Sequence, residues 1–467
     1  MSAQQLCILG AGPGGLRAAF EGLALGFEVT LIERELVGGT CLNRGCIPTK
    51  QYLGGTASLP LLHGARAHKL AEGSISPSLR ALKAKKDRFI KASRQTVEKQ
   101  LAAAGARLLF GRGRISSPGQ TEVTTRDADG LGPSHSAQEG AHICAWDRLI
   151  LATGSHPASF PGLAADHGCV LDSTDVLELE DAPESLIVVG SGAIGLEMAD
   201  FFSRLGAKIT LVEGCEQLAP AEDPELGESL RKIYGREGWE IHTGRNVAGL
   251  VTQNAQAVLR FADGEELSAD KALLAVGRRP NSAGLGLESL GLAPEPGWLP
   301  VDECLRLAPN VYAVGDVNGK SLLAHAADHQ ARYAVAHASG RSSGPYAPPP
   351  MPACIYGHME VMRVGPSFAE LRARRDMECS RSNMIANPIA QACCATQGFI
   401  KVFWEGGRVC GISALGHGAS HLVGIAGVIV TQGWKAEDIH RIIWAHPTLD
   451  EALLEALTAP RQRLILP

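Results

Sequence analysis

The chain has 467 residues, 45% of them hydrophobic and 20% charged, with a formal net charge of −5. Such a length exceeds one ordinary core and predicts about two to four soluble domains. The charge gives no reason to expect a nucleic acid or an anionic membrane surface as partner, and no apolar run is long enough to span a bilayer. Twelve cysteines scattered along the chain do not form a disulfide framework and point to a reducing, cytoplasmic setting.

The N-terminal apolar run lacks the basic region and cleavage site of a secretion signal, so it is read as a strand. It opens "LCILGAGPGGLRAAFEGLALGFEVTLIE", in which Gly10, Gly12 and Gly15 form G-x-G-x-x-G and Glu33 ends the second apolar run. In this pattern the first glycine makes the strand-to-helix turn and the second admits a pyrophosphate. The third packs helix on strand, and the terminal acid accepts a ribose hydroxyl. "GGTCLNRGCIPTK" follows, with Cys41 and Cys46 five positions apart. Zinc binding, structural thiols and a redox pair all remain open from that spacing. In an ideal helix two such Cα atoms stand about 9 Å apart. A disulfide needs roughly 4.4–6.8 Å, so pairing requires an irregular segment, which Gly45 could supply.

Pro77 to Gly105 predicts a long helix whose Lys83, Lys85, Lys86, Arg88 and Lys91 form a solvated face. Arg126 to Gly140 is polar and turn-forming, suited to the tip of a surface hairpin. A second copy of the opening pattern then appears, "LIVVGSGAIGLEMADFFSRLGAKITLVE", with Gly190, Gly192, Gly195 and Glu213. Two complete copies predict two dinucleotide sites, and hence an electron relay between two cofactors. "RSSGPYAPPP", ending at Pro350, is a Pro/Gly/Ser linker. Beyond it come the strand-like "GFIKVFW" and "VCGISALG", a helical pair ("GIAGVIVTQGW" and Ala436 to Trp444), and "AHPTLDEALLEAL". Together they predict a compact α+β domain.

These motifs resemble the flavoprotein disulfide reductases (class I pyridine nucleotide–disulfide oxidoreductases), over nearly the whole chain. "GGTCLNRGCIPTK" is similar to the family's active-disulfide motif. "ILATGS" (Ile150 to Ser155), "AVGRRPN" (Ala275 to Asn281), "VYAVGDV" (Val311 to Val317) and "HPTLDE" (His446 to Glu451) follow in the family's order. The resemblance implies an α/β fold with two Rossmann-like domains, for FAD and NAD, and a C-terminal interface domain. It places an FAD-binding first segment at 1–152, the NAD-binding domain at 153–278, an FAD-binding or central segment at 279–347 and the interface domain at 348–467. It also implies that Cys46 lies nearest the flavin while Cys41 exchanges with substrate, and that Lys50 sits near the flavin paired with Glu197. His446, held by Glu451 and preceding a cis Pro447, is then the acid/base acting on the other subunit of a homodimer. Gly39, Thr40, Thr153, Gly154, Gly277, Gly315, Asp316, Ala324 and His325 join the glycines and acids above in contacting cofactors, Asp316 at the ribityl chain. No metal is implied.

The implied activity is oxidation of a dihydrolipoyl group, on free lipoamide or a lipoyl-carrying protein, with reduction of NAD⁺. A 2-oxoacid dehydrogenase or glycine-cleavage assembly would be its setting. Glu213 suits a free 2′-hydroxyl and no arginine follows closely, which favours NAD over NADP. The tail "RQRLILP" carries no cysteine pair. These two features argue against glutathione- and mercuric-reductase-like activities, and the cysteine pair itself argues against a transhydrogenase. A docking flavoprotein with little turnover is the reading from another class. Three departures stand out: relatives usually read "YTxPE" at Tyr356–Glu360 ("YGHME" here), Glu-Gly at Gln330-Ala331, and arginine at Ile389.

Overall fold

The computed structural model describes residues 3–67, 69–70, 72–73, 75–124, 141–292 and 297–464, so the hairpin tip expected at Arg126 to Gly140 lies outside the described residues. The chain divides into two compact units: Met1–Pro48, Ala84–Ala158 and Gly277–Pro348 form one, and Thr49–Lys83, Ser159–Val276 and Pro349–Pro467 the other.

In the first unit the N-terminal apolar run, Gln5–Leu9, lies inside a six-stranded sheet. Its order is Arg306–Ala308, Val311–Ala313, Arg148–Leu151, Gln5–Leu9, Glu28–Glu33 and Arg107–Phe110. Gln5–Leu9 pairs in parallel with both neighbours, Gln5 opposite Glu28 and Leu6 opposite Arg148. Near-continuous apolar strands of this kind are buried on both faces, and Leu6, Ile8, Leu31 and Ile150 are all buried here. The Pro13–Ala24 helix packs against the Ala324–Ala338 helix, and Arg17 Nε lies 2.6 Å from Asp328 Oδ1 between them.

The second unit repeats the plan with a five-stranded parallel sheet, ordered Glu240–His242, Lys208–Val212, Ser185–Val189, Lys271–Leu274 and Val170–Leu171. It also holds a six-stranded antiparallel sheet whose centre is Gly398–Glu405 paired with Arg408–Gly416, the two strand-like runs of the C-terminal region. Trp404 and Ile412 of that sheet share one buried core with Leu453 of the Asp450–Thr458 helix. The architecture is α/β in the two dinucleotide-type sheets and α+β at the C-terminus. Among the described residues no helix is long and apolar enough to cross a membrane.

Two expectations are corrected. The long helix runs Leu79–Ala103, but Lys86 is only 1% exposed and its Nζ lies 3.1 Å from Asp87 Oδ1. It falls on the same stripe as the buried Ile90 and Leu101, so the helical period and not its charge decides its burial. Lys83 also leaves the solvated face, 2.9 Å from Glu178. The helix expected over Ala436 to Trp444 is one turn, Ala436–Ile439. Ile442 and Ile443 are exposed, so no apolar stripe carries the helix further.

Candidate functional site

The two glycine loops are built alike. Gly10 (φ +100°) and Gly190 (φ +103°) each take a conformation that a side chain resists, and a Cβ would stand 2.4 Å from Ala152 O and 2.5 Å from Ala275 O respectively. A Cβ on Gly15 would lie 1.8 Å from Gly10 O, and one on Gly195 1.9 Å from Gly190 O, so helix and strand touch at the backbone. Gly12 and Gly192 cap the following helices, and neither helix start has a side-chain cap. Their first amides therefore point outward with the positive end of the dipole, as an anion would require.

The terminal acids brace these loops. Glu33 accepts hydrogen bonds from Ala11 N (2.7 Å) and Glu35 N (2.8 Å). Glu213 accepts from Ser191 N (2.8 Å) and Oγ (2.7 Å) and from Cys215 N (2.9 Å). Beside the second loop opens a cavity of about 450 Å³ lined by Gly190, Gly192, Glu213, Arg245 and Val276, among others. Arg245 was not visible from the motif because it reaches the cavity from the turn before the Val247–Gln253 strand. It is held by Asp263 and Glu265 at 2.8 Å each.

In the first unit Gly39 (φ +57°) starts the Gly39–Arg44 helix so close to the glycine loop that a Cβ there would be 2.6 Å from Gly12 Cα. Exposed Thr40 follows it. Asp316 Oδ2 accepts from Ser155 Oγ (2.5 Å), which in turn accepts from Arg278 Nε (2.7 Å). Thr153 Oγ1 donates to Asn281 O, and Gly154 O accepts from Asn281 N. Gly277 O accepts from Ala158 N. Gly315 N donates to Gln330 Oε1 (2.8 Å), which also accepts from Asn318 Nδ2. Gln330 is thus a buried brace for the Gly315–Asp316 turn, a role that its difference from relatives did not reveal. Ala324 and exposed His325 begin the Ala324–Ala338 helix.

The residues present fit two dinucleotides. The loops leave room above Gly12 and Gly192 where a Cβ would find nothing closer than 3.9 Å. Next to the first loop, Asn43 Oδ1 is buried without a hydrogen-bond partner among the described residues, an acceptor suited to a ligand's donor.

Cys41 lies in the Gly39–Arg44 helix and Cys46 begins the Cys46–Thr56 helix, with Gly45 breaking the run between them. Asn43 Nδ2 ties this segment down, donating to Val37 O and Gly39 O. Arg44, without a role in the motif, pairs with Glu35 at 2.6 Å. One turn beyond Cys46, Lys50 donates to both oxygens of Glu197, at 2.9 and 2.7 Å. Burial raises the Glu197 carboxyl above its ordinary value, against the pull of Lys50 and the Tyr356 amide. His446 Nδ1 lies 2.9 Å from Glu451 Oε1, Thr448 N donates to Glu451 Oε2 (2.9 Å), and the His446–Pro447 bond is cis. The imidazole side chain is 72% exposed, which leaves Nε2 open.

Residues 4–331 match the pyridine nucleotide-disulphide oxidoreductase family and residues 351–457 match its dimerisation domain. The chain is 32% identical to the dihydrolipoyl dehydrogenase of Chlorobaculum tepidum, over 97% of this chain and 96% of that protein. It is 34% identical to dihydrolipoyl dehydrogenase 3 of Pseudomonas aeruginosa, over 98% and 97%. The crystal structure of LpdA from Mycobacterium tuberculosis superposes with a TM-score of 0.88 at 27% identity, covering 97% of this chain and 99% of that one. With two glycine loops, the cysteine segment and these full-length matches together, the chain belongs to the pyridine nucleotide-disulphide oxidoreductase family.

Proposed function

We propose that the protein is an NAD-dependent dihydrolipoyl dehydrogenase, working as a homodimer on lipoamide or a lipoyl-carrying protein. The observation that carries this reading is full-length likeness to relatives of that name with Cys41, Cys46, Lys50, Glu197, His446 and Glu451 all in place. The dimerisation-domain match supports the homodimer. Residues 1–152 and 279–347 would bind FAD, 153–278 NAD, and 348–467 the second subunit.

His446 is oriented by Glu451 through Nδ1, so Nε2 takes the proton of a dihydrolipoyl thiol. The thiolate attacks Cys41 Sγ of a Cys41–Cys46 disulfide and displaces Cys46 as a thiolate. The second lipoyl thiol then attacks the mixed disulfide. It closes the lipoyl ring and leaves Cys41 reduced, a two-electron oxidation of substrate matched by reduction of the cysteine pair. In the homodimer His446 of one chain serves the cysteine pair of the other. FAD and NAD⁺, when bound, supply the route by which the two electrons leave the cysteine pair. Glu33, Gly39, Thr40, Thr153, Gly154, Gly277, Gly315, Asp316, Ala324 and His325 would hold the first of these with the Gly10–Gly15 loop; the Gly190–Gly195 loop and Glu213 would hold the second. The scattered cysteines support a cytoplasmic location, and a 2-oxoacid dehydrogenase or glycine-cleavage assembly would be its setting.

A steady-state panel of lipoamide, glutathione disulfide and other disulfides, each with NADH and NADPH, tests the reading. Preference for lipoamide with NADH supports it, whereas preference for glutathione disulfide with NADPH overturns it.

A further inference from the structure

The Tyr356–Glu360 stretch, which departs from relatives at Gly357 and Met359, makes contacts that the chemistry above does not use. The Tyr356 amide donates to Glu197 Oε1 at 3.1 Å, and Lys50 Nζ lies 4.5 Å from the centre of the Tyr356 ring. Two residues on, His358 N donates to Asp200 Oδ2 at 3.3 Å, His358 Nδ1 lies 2.6 Å from Asp200 Oδ1, and Nε2 lies 2.8 Å from Glu237 Oε1. Glu197 and Asp200 are one turn apart on the Ala193–Arg204 helix, so the stretch follows one face of that helix. Gly357 permits the close approach. Its φ is +142°, and a Cβ there would already stand 3.1 Å from Asp200 Oδ2.

We propose that Tyr356 is the positioning residue of the Lys50–Glu197 pair, seating the ammonium with its ring and orienting the carboxylate with its amide. The inference rests on Lys50 and Glu197 being working groups of the proposed dehydrogenase. A lysine head on a four-carbon stem moves among rotamers unless something holds it. The Lys50 side chain is 35% exposed, so water competes with Glu197 for its donors. The negative face of an aromatic ring attracts the ammonium without needing a hydrogen bond, which leaves those donors to Glu197. Burial, then the neighbouring Cys354, Glu197 and Glu360, push the Tyr356 phenol up to about 12, so the ring stays neutral.

The test uses the holoenzyme with Tyr356→Phe and Tyr356→Leu. Labelling of Lys50 by an amine-acylating reagent, relative to the other lysines, is read by mass spectrometry beside kcat and KM. Tyr356→Phe keeps the ring and the amide and should leave labelling and kcat within about twofold of wild type. Tyr356→Leu should raise Lys50 labelling about fivefold or more and lower kcat by a similar factor, with both KM values within about twofold. Unchanged Lys50 labelling in Tyr356→Leu overturns the inference. So does equal impairment of the two variants, or a parallel rise at every lysine that marks general loosening. Labelling does not depend on which disulfide is the substrate, so failure of the substrate assignment would show in the kinetics of wild type and leave this readout interpretable.

Discussion

Alanine at Gly192 and alanine at Gly195 should both weaken NAD⁺ binding, but only the second should press helix against strand and strongly destabilise the fold. Gly192 caps its helix with φ −70°, a value any residue adopts, and a Cβ there meets nothing within 4 Å. Gly192→Ala should therefore cost no more than about 0.5–1 kcal/mol, the difference between glycine and alanine as N-caps. Its methyl projects where the loop lines the cavity, in the place a pyrophosphate would approach. NAD⁺ affinity should fall at least about tenfold, which is about 1.4 kcal/mol. At Gly195 the new Cβ would be 1.9 Å from Gly190 O, against a closest normal approach of 3.0 Å, so helix or strand must retreat by 1.1 Å (3.0 − 1.9). Overpacking of that kind costs about 1–3 kcal/mol. Gly195→Ala should thus lose stability as well as NAD⁺ binding. Urea titrations give the first quantity and calorimetric NAD⁺ titration of the yellow holoenzyme gives the second. Wild-type NAD⁺ affinity in Gly192→Ala, or loss of flavin from that variant, would refute the assignment of this loop.

The other predictions concern charge. His446→Gln should slow thiol exchange far more than reduction of the flavin by NADH in stopped flow, whereas equal slowing would mark a structural residue. Lys50→Met strands the buried Glu197 carboxylate without its ion pair. It should lower stability by about 1.5–3 kcal/mol, the range for a lost hydrogen bond to a charged group, and Lys50→Met with Glu197→Gln together should recover part of that. Burial works to lower His358, but hydrogen bonds to Asp200 and Glu237 hold it above the ordinary histidine value of 6.5. Stability from a raised histidine is complete below the unfolded value and lost as pH rises through the folded one. The melting-temperature gap between wild type and His358→Gln should therefore be full below about pH 6.5 and narrow as the pH rises above it. A gap that widens with pH would refute this.

The fold was legible wherever a local rule governs a run of residues. Apolar runs of five or six residues before and after each glycine motif could only be buried parallel strands, and Gln5–Leu9 and Ser185–Val189 are that. The helix after Pro77 was legible in position but not in burial. Charge suggested a solvated Lys86, whereas its place on the Ile90–Leu101 stripe puts it inside. Gly45 was legible only as a residue that could bend the segment if the two cysteines pair, and the structure does end one helix and begin the next there.

The sequence by itself determined the two strand–turn–helix units and which residue types stand ready for thiol and nucleotide chemistry, since each depends on neighbours within one turn or strand. Only the tertiary structure decided which distant groups meet. The family resemblance already pairs Lys50 with Glu197, 147 residues on, but it does not foresee that Tyr356, 159 residues after Glu197, holds that carboxylate. Gln330 returns along its helix to brace Gly315, and Arg245 joins Glu213 at one cavity. No period or spacing encodes such meetings. They follow from how sheets and helices pack, and for the buried Glu197 and Gln330 a partner is then needed because a carboxylate or amide left alone there has lost its water.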